Sequence, residues 1–167
     1  EFILSDLDDK SVTAARLALH PDMSRAHRRV IDRFTGYTVD TRGTFADYVA
    51  ALDSPARRKL LNLRSRLQAL GEVRIDLAAP GQFRTFAERL DRMHACRWGR
   101  RFFEGGHRAF HYMLADELDR HESLQFSILT VGGRDASALY NIRSHGHEYN
   151  IQGGFDESVA PGLPLGI

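Results

Sequence analysis

Near one end of this chain the run EYNIQGGFDES sets Glu148, Asn150 and Gln152 at a two-residue period, with Tyr149 and Ile151 between them. A carboxylate and two amides on one strand face can move a proton and hold a polar substrate, provided that face lines a cleft. On an open sheet face the same row meets only water, so the choice between the two waits on the fold. A second group is His94, Arg97 and Trp98, in a segment whose apolar residues recur at helical spacing. Arg97 falls on the side of Leu90 and Met93, where an unpaired guanidinium is too costly to bury. It either reaches a ligand or an acidic partner in a cleft, or ends its helix in a salt bridge beyond the core. Both readings stay open.

Other chemistry-bearing residues carry less. His107 and His111 are four apart, a spacing at which two imidazoles can share a metal, but no glutamate follows His107 as in zinc proteases. They read as a helix-surface or core-edge pair, and no metal site is expected. His145 and His147 flank Gly146, which suggests a turn. Cys96 has no neighbouring base, so a nucleophile is not expected there. Arg57, Arg58, Lys59, Arg64 and Arg66 flank a leucine stripe on both sides and read as a solvated rim. Neither a G-x-S-x-G elbow nor a G-x-x-x-x-G-K-[ST] loop occurs.

The elements that must position these groups follow from periodicity. Phe2–Leu4 is a short apolar run, Ser11 caps a helix to Leu19 before His20-Pro21, residues 24–34 carry a helical charge pattern, and residues 36–40 read as a strand. Thr44 caps a helix bearing Phe45, Tyr48, Val49 and Leu52. Ser54 as cap, with Pro55 behind it, starts a helix carrying Leu60, Leu63, Leu67 and Leu70, closed by Gly71. Val73–Leu77 alternates as a strand, and Pro80-Gly81 turns. Phe83, Phe86, Ala87, Leu90, Met93 and Trp98 form one helical stripe. Gly105-Gly106 separates it from a helix running from His107 to about His121. From Leu124 the period becomes two: strands over 124–131 and 136–144 joined at Gly132-Gly133, then a third over 147–152. Helices followed by an antiparallel meander is an α+β pattern, with the helices from Ser54 and Phe83 expected on the sheet and Trp98 expected in the core.

The 167 residues fit one domain, with 43% hydrophobic and 27% charged residues and a net charge of +1. That balance gives no electrostatic reason to expect nucleic acid. One cysteine excludes an internal disulfide and suits a reducing, cytoplasmic setting, and no apolar stretch is long enough for a membrane span. The first residue is Glu and the last segment, PGLPLGI, looks like the start of a helix, so the chain reads as a single incomplete domain open at both ends.

Four segments stand in order: SPARRKLLNLRSRLQALGEVRIDL, LDRMHACRWGRR, FSILTVGGRDASALYNI and EYNIQGGFDESVAPG. Together, over residues 44–167, they resemble the GNAT-like acyltransferase domain of the bacterial cellulose-biosynthesis-associated (CelD-like) branch. That resemblance implies a GNAT-like α+β fold and transfer of an acyl group from acetyl-CoA or another acyl-CoA to an amine of a small molecule or of a cell-envelope or exopolysaccharide precursor. In that superfamily the strand before the phosphate loop offers its backbone to the pantetheine arm, and the following loop and helix start take the pyrophosphate, where free N–H groups and the helix dipole meet the anion. By resemblance, Ile151, Gln152, Gly153, Gly154, Gly162 and Leu163 are the cofactor-binding positions. Residues 159–166 do not spell the superfamily's Q/R-x-x-G-x-G/A loop.

The implied chemistry needs a base for the amine and a proton for the departing thiolate. Glu148 is the candidate base, Tyr149 or Tyr140 the candidate acid, and Arg97, Trp98 and Asn150 the candidate substrate-binding residues, with Arg97 able to grip a carboxylate or phosphate by two parallel hydrogen bonds. The resemblance is also compatible with a homodimer. Two other classes share the architecture: aminoacyl transfer from aminoacyl-tRNA in the manner of Fem proteins, and a degenerate, non-catalytic scaffold in polysaccharide assembly.

Overall fold

A computed structural model describes residues 16, 19–21 and 38–165. The apolar run Phe2–Leu4, the helix over residues 24–34, most of the capped helix to Leu19, and Gly166 fall outside the described residues. The chain divides into two compact units, Glu1–Arg42 and Gly43–Ile167. Within the first, residues 38–40 are without regular structure, so the described part of the strand expected at 36–40 is absent.

The second unit begins with α1 (Phe45–Ala51) and α2 (Ser54–Ala69). Thr44 and Asp47 form a reciprocal capping box, each side chain taking the other's backbone N–H. Asp53, not Ser54, caps α2: its Oδ1 accepts the Ala56 N–H at 2.7 Å, and Pro55 lies in the first turn, where its missing N–H costs nothing. Arg57 is more than rim, because its guanidinium donates to the carbonyls of Val49, Ala50 and Leu52 at the end of α1. The expected docking of α2 on the sheet is not seen, since α2 has no buried residue. That place belongs to a later helix.

The sheet is β1 (Val73–Leu77), β2 (Leu124–Val131), β3 (Arg134–Ser144) and β4 (His147–Phe155), in that spatial order and antiparallel throughout. The predicted meander is present, and β1 extends it by pairing with β2. Gly132 and Gly133 have φ of 56° and 76°, and His145 and Gly146 have φ of 50° and 77°. Two residues of positive φ in succession give the turn whose twist matches a two-residue hairpin. β3 starts at Arg134, two residues earlier than the alternation suggests, because the turn is as short as a hairpin permits.

Helices α3 (Phe83–Trp98) and α4 (Gly105–Arg120) cover one face of the sheet. Gly105 and Gly106 open α4 and do not separate it from α3; Gly99, at φ 68°, ends α3. Between helices and sheet lies an aromatic core of Phe83, Phe86, Phe103, Phe126 and Tyr140, with Phe126 and Tyr140 stacked at 5.5 Å. Trp98 is 47% exposed, which corrects the expectation that it is core. As the last residue of α3 it stands where the chain turns away, and its ring packs on His94 at 4.3 Å.

Candidate functional site

β4 is the edge strand of the described sheet, so one side of its backbone is unpaired by any described strand. Its register with β3 shifts between Tyr140 and Asn141: Tyr140 faces Gln152 while Asn141 faces Asn150, leaving Ile151 as the extra residue of a bulge. The bulge breaks the alternation read from sequence. Asn150 shares a face with Asn141, whereas Gln152 pairs with core-facing Tyr140, so Glu148, Asn150 and Gln152 do not form one row.

On the face turned away from α3 and α4, Asn150 Nδ2 donates to Asn141 Oδ1 at 2.7 Å, and Asn141 Nδ2 donates in turn to Glu148 Oε1. Asn141 is buried at 8% exposure, so this relay has a fixed centre. Arg143 Nε approaches Glu148 Oε2 at 3.5 Å. The Glu148 side chain is 40% exposed, an oriented carboxylate open on one side. Asn141 was missed by sequence reasoning; its signal is the hairpin register, which places it opposite Asn150.

The two candidate tyrosines part company. Tyr149 is 53% exposed beside the His147 ring. Tyr140 is fully buried, its hydroxyl lies 3.3 Å from His111 Nδ1, and burial pushes its pKa up to about 12. It is a core residue whose hydroxyl is paired with a histidine.

Arg97 reaches the far end of β4. Its guanidinium lies over the Phe155 ring at 4.1 Å and near the Trp98 ring at 4.9 Å, and Nη1 donates to Glu157 Oε1 at 3.3 Å. The expected acidic partner is therefore present. Both members of the pair are open to water, the Glu157 side chain by 75%. Behind them His94 Nδ1 donates to the Arg100 carbonyl at 2.7 Å, which holds the loop after α3.

After β4 the chain folds back. Asp156 Oδ1 accepts the Ser158 N–H, Leu163 N–H bonds Ala160 O, and Ser137 Oγ donates to Leu165 O at 3.0 Å. Ala160 and Leu163 are buried, while Gly162, at φ 70°, faces open space. Of the cofactor candidates, Ile151 packs on the core and Gln152 and Gly153 are half-buried. Gly154 has an internal reason to be glycine: a Cβ there meets Leu90 O at 3.3 Å and Met93 Cβ at 3.5 Å. Its small size admits α3, on the helix side of the strand.

An open depression of about 240 Å³ lies elsewhere, lined by Glu72, Arg74, Asp76, Arg89, Thr130, Gly133 and Asp135. Arg89 bridges Asp135 and Asp76, and its hydrogen bonds hold the Asp135 carboxyl below the usual carboxylate range. This ion network ties α3 to the sheet and stands apart from the β4 groups.

The acetyltransferase (GNAT) domain model matches residues 54–166, which takes in α2 through the fold-back after β4. The chain belongs to the GNAT acetyltransferase family. Acyl transfer is accordingly its reaction class, and the mixed antiparallel architecture is that of a GNAT domain. No curated protein and no solved structure matches the chain significantly. Among the described residues of this GNAT domain, no helix is long and apolar enough to cross a membrane.

Proposed function

We propose that this GNAT domain transfers an acyl group from acetyl-CoA or another acyl-CoA to the amine of a small molecule, with the thioester lying along the free edge of β4. One observation carries the reading: the edge strand is bent by a bulge at Ile151 and has an oriented carboxylate at one end and an aromatic-backed arginine at the other. A bulge turns backbone groups out of the ladder and re-aims them, which suits N–H donation to a thioester carbonyl. Glu148, held by Asn141, takes the proton from the amine, directly or through a water. Asn150 keeps Asn141 oriented and borders the acceptor. Tyr149, the exposed tyrosine, supplies the proton to the thiolate.

Arg97 exchanges Glu157 for an anionic group of the cofactor or acceptor. Such an exchange is cheap because the existing ion pair is solvated, and Trp98 and Phe155 hold the guanidinium in place meanwhile. Backbone groups of Gln152, Gly153 and Gly154 lie against the pantetheine arm, and the turn at Gly162 and Leu163 leads toward the pyrophosphate. The CelD-like branch and an envelope or exopolysaccharide acceptor are the finer form of this proposal, supported by the ordered segments of the sequence. A cytoplasmic setting fits the free, exposed Cys96. A small-molecule amine without nucleic acid completes it, within one GNAT-like domain that can pair with a second copy.

Thiol release from acetyl-CoA over a panel of amines tests the assignment. Glu148→Gln is expected to lower kcat by about 100-fold with little change in KM for acetyl-CoA. Arg97→Ala is expected mainly to raise KM. Unchanged kinetics in both variants would remove these residues from the site, and a folded chain without CoA binding would favour the scaffold.

A further inference from the structure

Helix α4 carries two imidazoles that the proposed acyl transfer leaves unused. His107 and His111 stand one turn apart with their Nε2 atoms 3.1 Å from each other. Each ring is tied at its other nitrogen. His107 Nδ1 lies 3.0 Å from the Phe102 carbonyl oxygen, and His111 Nδ1 lies 3.3 Å from the Tyr140 hydroxyl. A carbonyl only accepts, so His107 Nδ1 carries its proton and His107 Nε2 presents a lone pair. The His111 ring is boxed by Phe102, Phe103 and Phe110, with centroids 5.3, 5.6 and 5.2 Å away, so its orientation is set by packing.

The separation of the two Nε2 atoms bears on what the pair is suited to. A head-on N–H···N bond of this length places imidazole centres about 5.4 Å apart. Here the centres are 4.4 Å apart and the planes are inclined by 69°. The two Nε2 directions are therefore splayed off the line that joins them. Two nitrogens bound to one tetrahedral zinc, each at about 2.0–2.1 Å, stand about 3.3 Å apart. The nitrogen separation, 3.1 Å, is close to that of a chelating pair.

We infer that His107 and His111 form a binding site for a late first-row divalent cation, of which zinc(II) is the reference case. On binding, the proton on His111 Nε2 is exchanged for one on Nδ1, which then donates to the Tyr140 oxygen. Both ligands stay neutral, each with its Nδ1–H anchored on an oxygen, as ligating histidines generally are. No net proton is released. The exchange leaves the Tyr140 O–H without its former acceptor, which weakens the site relative to an unconstrained pair. Among the described residues no third His, Cys, Asp or Glu completes a set, so water or an anion fills the remaining positions on the exposed His107 side.

Calorimetric titration of zinc chloride into the full chain, His107→Gln and His147→Gln tests this, alongside the histidine ¹⁵N shifts. The thermal midpoint in chelator checks that His107→Gln keeps its fold after losing the ring's bonds to Phe102 and His111. The expected result is one ion per chain, binding weakened at least about tenfold in His107→Gln and unaltered in His147→Gln, with the Nε2 resonances of both α4 histidines moving. Equal affinity in the wild type and His107→Gln, absence of binding at about 1 mM zinc, or shifts confined to His145 and His147 would overturn it.

Discussion

Asp91 lies on the core side of α3 at 6% exposure, and its Oδ1 accepts the N–H groups of Phe102 and Phe103, both at 2.9 Å. One carboxylate thus satisfies two donors of the α3–α4 connection and fixes the aromatic pair that starts the next helix. Asp91→Ala orphans both, and a loss of about 2–4 kcal/mol is expected in urea unfolding. Asp91→Asn keeps an accepting oxygen and should cost about 1 kcal/mol. Burial, assisted by His107, lowers the His111 pKa from 6.5 to about 4. The unfolded chain therefore binds more protons between these values, and stability should fall as pH drops from about 6.5 toward 4. Unfolding measured in chelator across that window should show the slope, and His111→Gln should flatten it. Neither Asp91 nor Asn141 stood out in the sequence, because their partners lie in a loop and on a hairpin whose register the sequence does not display. Arg97 did stand out, since a guanidinium beside an apolar stripe demands a partner.

At the scale of elements, Gly154 lets α3 approach β4, with Leu90 and Met93 at its Cα. Gly154→Val should cost about 1–3 kcal/mol by overpacking. Gly153 offers ordinary contact to the Leu139 side chain, 3.5 Å from a built Cβ, so Gly153→Ala should stay within about 1 kcal/mol of wild type. Denaturant midpoints of the two variants check the contrast, and equal effects would remove the close-approach account. From Thr44 onward the helices and strands themselves were legible, because stripes such as Phe83, Phe86, Leu90 and Met93 and the alternation after Leu124 fix period and type. The bulge at Ile151 was not, since it depends on the partner strand and no local residue announces it. For the same reason Gln152 left the row in which simple alternation had placed it. The end of α3 was misjudged at Trp98, where helical spacing continues the stripe but the packed face has already ended.

At the scale of the molecule, the order of elements indicated an α+β fold, the four ordered segments carried the resemblance to a GNAT domain, and the family match over residues 54–166 agrees with it. What the order left open was which helices cover the sheet. α3 and α4 take one face, while Ile75, Leu77 and Leu139 stand 68%, 62% and 41% exposed on the other. The candidate site lies at the β4 end of this molecule, at the far side of the sheet from β1. The central claim, that acyl-CoA lies along the edge of β4, is tested most directly by amide NMR of the chain titrated with acetyl-CoA. Saturable shifts concentrated on Tyr149–Gly154, with the Arg97 side-chain signal moving and β1 unchanged, are predicted. Saturable shifts centred on Arg74, Asp76 and Asp135, or none at all with the fold intact, would contradict it.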